Sequence, residues 1–385
     1  MDTVLMIVLK DFVNDSRILR ECATVHNMGY RVVVYALHSE SLPEYEKQDN
    51  YELYRFKLTT KKWPKHPFIQ IFKYLECFIR IAWKGTKLNP KVVHCHDISA
   101  LPIGFVISLK LKSKLIYDSH ELWSNYNYRK SLVVSAQKQL SNILEKFLMR
   151  RSDAVITVSD SIANYLSAFA RIKKPFVIRN IPNSNNPNIQ DINLLKKNLH
   201  IPKDKKILLF QGGFASNAGL EDLVAAMELV LPAAVLVFMG GGILNNKLHN
   251  LVKRKSLNNK VFFHAYVDNQ VLLNYTACAS IGISSSSSIN LDYRYALPNK
   301  LFEYIQAGVP VLVTDLPDMR KIVMEYKIGE TYPEGDPQEL ACIINRLLEN
   351  PKQLEIYKKN VKEAAKILNW ENEENKLKII YKSLS

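Results

Sequence analysis

Residues 207–240, "ILLFQGGFASNAGLEDLVAAMELVLPAAVLVFMG", decide the fold. The run 207–212 is short, apolar and closed by glycine, as a buried strand is, and 234–240 repeats that texture. Between them "LEDLVAAMELVL" (220–231) carries its apolar residues at helical spacing. A strand that returns through a helix comes back in the same direction, so the pair belongs to a parallel sheet with helices on its faces.

The same alternation continues outward. Toward the C-terminus, strands are expected at 261–266, 280–284 and 310–314. Toward the N-terminus they fall at 3–9, 31–37, 91–96, 114–118, 154–159 and 175–180, with helical segments between. One of these, "SRILRECATVHNM" (16–28), has Asp15 as its cap and Gly29 as its stop. The stretch 181–206, "IPNSNNPNIQDINLLKKNLHIPKDKK", is rich in Asn, Pro and Lys and reads as a linker. The fold class is therefore α/β, as two doubly wound domains over 1–182 and 183–369. The helical segment 370–385 has no strand after it to cover and is expected to pack back on the first domain.

Composition narrows the class. The 385 residues are 47% hydrophobic and 23% charged, a globular balance. No run of 18 uncharged apolar residues suggests a membrane-spanning helix, and the start lacks a signal-peptide pattern. Five scattered cysteines without C-x-x-C read as free thiols, which points to the cytoplasm. The net charge of +15 calls for an anionic partner, and residues 57–91 hold nine Lys or Arg against one acid, Glu76. No nucleic-acid-binding motif accompanies the charge, so a nucleic-acid partner is not expected.

In open parallel sheets ligands gather at the carboxyl ends of the strands. The polar residues there are Asn14, Asp15, His96, Asp97, Asp118, His120, Glu121 and Gly213. A second candidate is "LPNKLFEYIQAGVPVLVTD" (297–315), a helix running into a strand, with Pro298 in its first turn. Lys300 sits at the positive end of that helix, where a cation is disfavoured by roughly 0.3–1 kcal/mol. An anion bound to the amides of Asn299, Lys300 and Leu301 would reverse that penalty. Glu303, one turn on, could then accept hydrogen bonds from ribose hydroxyls, and phosphate plus ribose describes a nucleotide. By spacing alone, Lys300 and Glu303 read rather as a solvated pair on an exposed helix.

"YALPNKLFEYIQAGVPVLVTDLPDMRKIV" resembles the nucleotide-sugar-binding region of the retaining family-four glycosyltransferases with the GT-B fold. "VVHCHDISALPIG", "LIYDSHELW" and "ILLFQGGFASNAGLEDLVAAMELV" resemble other segments of that family in collinear order. The resemblance implies two Rossmann-like domains facing a central cleft, an N-terminal acceptor domain and a C-terminal donor domain. It implies donor contacts at Gly213, Asn299, Lys300, Leu301 and Glu303, and catalytic roles for His120, against the sugar, and Lys300, at the leaving diphosphate. Asn14, Asp15, His96, Asp97 and Tyr295 would line the acceptor side or the cleft. The family's first glutamate falls at Tyr295, and its diphosphate-gripping Arg and Lys fall near Gly212 and Ala218. The implied activity is transfer of a sugar, from UDP by family frequency, to a saccharide or lipid-linked hydroxyl acceptor in cell-surface polysaccharide or glycolipid assembly. The departures at Tyr295, Gly212 and Ala218 leave room for a catalytically silent subunit that stabilises a partner glycosyltransferase.

Neither a metal nor another cofactor is expected. His94 and His96 share one strand face in "HCHD" but no third ligand is identifiable by spacing, and the chain has no D-x-D. In "HPFIQIFKYLECFIRIAWKG" (66–85), Phe68, Ile71, Phe72, Leu75, Ile79 and Trp83 follow helical spacing, with Lys73, Glu76, Arg80 and Lys84 on another face. That stripe either packs on the first sheet or lies on an anionic membrane surface, which would make the protein peripheral at the inner face of the cell membrane.

Overall fold

The computed structural model describes residues 1–13, 15–64, 66–122, 132–184 and 192–384. The chain divides into two compact units, Met1–Asn180 with Glu373–Ser385, and Ile181–Asn372.

The first unit opens with β1 (Thr3–Val8), α1 (Ser16–Asn27) and β2 (Arg31–Leu37), followed by β3 (Tyr45–Lys47) and β4 (Glu52–Phe56). Next come α2 (Pro67–Leu88), β5 (Val92–His96), α3 (Asp97–Leu111) and β6 (Lys114–Ser119). It continues through α4 (Leu132–Met149), β7 (Ala154–Thr157), α5 (Asp160–Ala170) and β8 (Phe176–Val177). The sheet order is β3-β4-β2-β1-β5-β6-β7-β8, parallel except for the antiparallel β3–β4 pair. Val4, Leu5, Met6 and Ile7 of β1 are buried, as a central parallel strand covered on both faces must be.

The crossovers after β4, β5, β6 and β7 all run toward β8, so right-handedness puts α2–α5 on one face of the sheet. The β1–α1–β2 crossover runs the other way and puts α1 on the opposite face. Asp15 caps α1 by accepting from the Ile18 amide at 3.2 Å, and Gly29 turns the chain after it at φ 90°. The layers touch closely at Gly104 of α3, where a Cβ would lie 2.0 Å from the Cys95 sulfur in β5.

The second unit begins with α6 (Leu194–Asn198), β9 (Lys206–Gly213), α7 (Leu220–Ala226) and β10 (Ala234–Gly241). It adds α8 (Asn245–Arg254), β11 (Val261–His264), α9 (Leu272–Thr276), β12 (Ile281–Ser284), α10 (Leu291–Arg294) and α11 (Asn299–Gln306). It closes with β13 (Val311–Thr314), α12 (Pro317–Tyr326), β14 (Gly329–Tyr332), α13 (Pro337–Glu349) and α14 (Pro351–Ile367). Its sheet is parallel throughout, in the order β11-β10-β9-β12-β13-β14. The final helix, α15 (Trp370–Ser383), joins the first unit from Glu373 onward, where Tyr381 is buried with its hydroxyl 3.0 Å from His94 Nδ1.

Two elements end three residues or more before the sequence reading has them. The strand expected over 175–180 pairs only at Phe176–Val177, and the helix expected over 220–231 ends at Ala226. All five cysteines are free, four of them buried.

Candidate functional site

In the second unit, α11 is anchored to the sheet by Tyr304. Its ring lies over Gly282 of β12, where a Cβ would sit 2.4 Å from the ring, so glycine is required for this approach. The Tyr304 hydroxyl lies 2.9 Å from the Leu209 carbonyl and 3.1 Å from the Ile283 carbonyl, and accepts from the Gln211 amide at 3.2 Å. This ties the helix to β9 and β12 and fixes where its N-terminus points.

Pro298 is the cap residue of α11, just outside the first turn in which the sequence reading placed it, and it supplies no side-chain acceptor. The Leu301 amide donates to the Pro298 carbonyl at 3.1 Å, a closed turn where the sequence reading expected a ligand contact. The amides of Asn299 and Lys300 are the first-turn donors without an intrahelical acceptor.

Lys300 extends over the Phe210 ring, its ammonium 3.7 Å from the centroid. Its tip lies 3.6 Å from the place a Cβ on Gly212 would occupy, an ordinary contact, so it is the φ of 119° that favours glycine there. Burial pushes the ammonium's pKa down to about 7, with Glu303 acting the other way. Glu303 accepts from Gln211 Nε2, and Gln211 Oε1 accepts from Thr276 Oγ1 at 2.9 Å. The paired ends of β9 and β10 approach closely here. A Cβ on Gly240, at φ 146°, would lie 2.0 Å from the Gly212 carbonyl oxygen. Gly213 pairs with Gly241, whose carbonyl accepts from Tyr266 at 2.8 Å. Tyr295 is half-buried at the end of α10.

In the first unit, the strand-end residues gather around Asp118. Arg17 grips that carboxylate with two hydrogen bonds, Nε at 2.9 Å and Nη2 at 3.0 Å, and donates a third to the Ile178 carbonyl at 2.6 Å. His120 Nε2 lies 3.1 Å from Asp118 Oδ2 and 3.3 Å from His96 Nδ1. Asp97 Oδ1 accepts from the His120 amide at 3.1 Å. Burial opposes the charge of Asp118, but Arg17 and then His120 hold it well below the ordinary carboxylate range. Burial likewise opposes a charged His120, yet Asp118 overrides it and raises the imidazole's pKa. His94 and His96 are pushed down by burial, and Glu21 is pushed up to about 8 by burial against the pull of Arg17.

Glu21, His94, His96 and Asp118 offer four buried donor atoms within 4.8 Å of one another, a grouping of metal-ligand type. The sequence reading found no third ligand for the two histidines, because Glu21 and Asp118 come from other elements. Arg17 already supplies a cation there, with Nε 3.1 Å from Glu21 and Nη2 2.8 Å from Asp118. Beside the arginine, both Glu21 carboxylate oxygens and the Nε2 atoms of His94 and His96 have no hydrogen-bond partner among the described residues.

The predicted residues therefore form two groups, one per unit. Lys300, Glu303, Asn299 and Gly213 gather around the start of α11, and His96, Asp97 and His120 around Asp118. Asp15 has a local role as helix cap and as the partner of Lys10 at 2.7 Å. Asn14 lies outside the described residues. Sequence reasoning missed Arg17, Glu21, Gln211 and Thr276. Arg17 and Glu21 carry an i,i+4 signal of opposite charge on the inward face of α1, whereas Gln211 and Thr276 carry none.

Two parallel α/β units of this topology define the GT-B class of glycosyltransferase folds. Residues 17–183 match the family model for Glycosyltransferase Family 4, and residues 191–364 match Glycosyl transferases group 1. With a glycosyltransferase model on each half, the chain belongs to the glycosyltransferases of the GT-B fold. An uncharacterized glycosyltransferase of Methanocaldococcus jannaschii is 24% identical over 319 residues, covering 80% of this chain and 78% of its own. The chitobiosyldiphosphodolichol beta-mannosyltransferase of Candida albicans is 26% identical over 58% of this chain and 53% of its own. Among solved structures, sucrose-phosphate synthase from Thermosynechococcus elongatus superposes with a TM-score of 0.81 at 19% identity, covering 100% and 99% of the two chains. The Anabaena protein HepE in complex with UDP gives 0.76 at 17% identity, with the same coverage. Among the described residues no helix is long and apolar enough to cross a membrane.

Proposed function

We propose that this protein transfers a sugar, with retention, from a nucleoside diphosphate sugar to a hydroxyl acceptor, and that the donor is a UDP-sugar. The observation that carries the reading is the start of α11. Two first-turn amides, a lysine head set over Phe210 and a carboxylate one turn along are all held to the sheet by Tyr304 and Gln211. That spacing fits a diphosphate on Asn299 and Lys300 and ribose hydroxyls on Glu303. The solved relative bound to UDP supports the choice of nucleotide.

The chemistry follows from charge. As the sugar departs, negative charge builds on the diphosphate, and Lys300 with the helix amides stabilises it without a metal. Because the ammonium is poised near neutrality in the free protein, the arriving diphosphate draws a proton onto it. His120, held by Asp118, contributes to the sugar-transfer step. The acceptor is a saccharide or a lipid-linked saccharide in cell-surface glycan assembly.

The test is direct. Glu303→Ala weakens binding of UDP and UDP-glucose at least tenfold in calorimetry, while Lys300→Ala lowers turnover by roughly 100-fold or more, the usual effect of losing one such donor. Unchanged nucleotide affinity in Glu303→Ala sinks the ribose assignment. A folded wild-type protein that binds no nucleotide would favour the silent-subunit reading.

A further inference from the structure

The apolar stripe that the sequence shows on α2 does not face the sheet. Cys77, Ile81 and Gly85 do, spaced four residues apart and buried. Ile71, Phe72, Leu75, Ile79 and Trp83 lie on the outward side, between 49% and 58% exposed. The helix is thus apolar on two opposite faces, and only one of them is used by the fold.

The neighbouring helices repeat the pattern. In α3, Leu109 is 68% exposed, and in α4, Leu140 and Ile143 are 68% and 65% exposed with Leu144 and Phe147 beside them. α2, α3 and α4 lie side by side on one face of the sheet, so these side chains form one outward apolar surface. Soluble monomers rarely expose a contiguous apolar area of this kind.

Charge identifies what covers it. The three helices carry seven Lys or Arg and three acids. The three acids are tied to partners within the unit, and Glu76 also pairs with Arg80 at 3.2 Å, so the helices keep a net positive excess. Glu76 is consumed by the amides and hydroxyls of Thr59 and Thr60, Glu145 is buried against the Tyr117 hydroxyl, and Asp97 holds the His120 amide. At the edge of the patch, beside Trp83, an open pocket of about 510 Å³ is lined by Lys57, Lys61, Lys62, Arg80 and Lys84 together with Glu40 and Glu44, and Lys62 pairs with Glu40 at 3.4 Å. Lys87 Nζ lies 3.6 Å from the Trp83 ring centroid. An apolar plane with a basic border and tryptophan at the boundary matches the headgroup region of an anionic bilayer, where apolar side chains enter the acyl boundary and lysines meet phosphate.

We propose that the outward face of α2, α3 and α4 docks in the plane of an anionic lipid bilayer, with the basic pocket beside Trp83 receiving lipid phosphate groups. This surface is independent of the nucleotide site at α11, and it would place a lipid-linked acceptor at the first unit.

The test is co-sedimentation of the full chain with vesicles of phosphatidylcholine alone or mixed with phosphatidylglycerol, alongside quenching of tryptophan fluorescence by brominated lipid. Wild type binds the anionic vesicles at least tenfold more tightly than the neutral ones and is released by high salt. Phe72→Ser combined with Trp83→Ser, or Lys57→Glu combined with Lys62→Glu, lowers that binding at least tenfold. Because these side chains stand outside the core, both variants keep the wild-type circular dichroism and UDP-glucose affinity. Trp83→Phe removes most of the lipid quenching. Equal binding to both vesicle types, no binding, or variants that bind like wild type overturn the proposal. So does a wild-type dimer in analytical ultracentrifugation that Phe72→Ser with Trp83→Ser converts to monomer, since the face would then belong to a second copy.

Discussion

Donor binding should be coupled to uptake of a proton by Lys300. In the free protein, burial over Phe210 lowers the pKa of this ammonium to about 7, so about half the molecules carry the charge at neutral pH. A diphosphate beside it favours the charged form and raises that pKa. The sign follows: the bound state has the higher pKa, so binding energy is fully present below the free pKa and is lost as pH rises toward the bound one. With a free pKa of about 7 and an ammonium that stays charged in the complex across this range, the charged fraction of free protein falls from about 50% at pH 7 to about 1% at pH 9. Affinity for the donor then falls about 50-fold across that range, or about 2.3 kcal/mol. UDP-glucose is the proper probe, because its phosphates do not titrate near neutrality as the terminal phosphate of UDP does. Calorimetry in two buffers of different ionisation enthalpy counts the proton directly, at about one-half per ligand at pH 7 and close to one at pH 9. Lys300→Arg, charged throughout, should flatten the slope, and Lys300→Met should flatten it and weaken binding. A wild-type affinity constant between pH 7 and 9, or the same slope in Lys300→Met, would refute the reasoning.

Three further outcomes follow from the packing around the two groups. Tyr304→Phe leaves a buried Gln211 amide without its acceptor and should cost about 1–3 kcal/mol in urea unfolding, with a weaker nucleotide site as the helix loosens. Arg17→Met strands the buried Asp118 carboxylate and should cost about 3–5 kcal/mol. Asp118 has a folded pKa below 3.8, so its stabilisation is present above 3.8 and lost as pH falls through the depressed value; removing Arg17 should move acid unfolding, followed by circular dichroism, to higher pH. Gly240→Ala puts a methyl against the Gly212 carbonyl at a positive φ and should cost about 1–3 kcal/mol while lowering UDP-glucose affinity, read by thermal shift with and without ligand.

Much of the architecture was written in local pattern. The buried parallel strands β1, β2, β9 and β10 are built on continuous apolar runs, because a strand covered on both faces has no polar side to alternate with. The strands that reading missed are short, peripheral and interrupted by polar residues: β3 and β4 form an edge hairpin, and β14, "GETY", is an edge strand in which Glu330 and Thr331 are only partly buried. The candidate site at α11 was singled out by Lys300 and Glu303 only together with the family resemblance, since two opposite charges three apart on a helix read by themselves as a solvated pair. The supports of that site could not be read, because Gln211 and Thr276 meet Glu303 from other elements and carry no distinguishing spacing. Arg17 and Glu21 were hidden for a different reason. Two opposite charges one turn apart look like a solvated pair, and only the sheet packed against α1 makes them a buried pair that organises Asp118. On α2 the sequence showed an apolar stripe but not its direction, since Cys77, Ile81 and Gly85 supply a quieter second face.

The central claim is that the start of α11 receives the donor diphosphate. A crystal structure of the protein soaked in UDP-glucose tests it most directly. The account predicts diphosphate oxygens within hydrogen-bonding distance of the Asn299 and Lys300 amides and the Lys300 ammonium, with the ribose hydroxyls on Glu303. Nucleotide bound elsewhere on the chain, or an empty α11 terminus at saturating ligand, would contradict it.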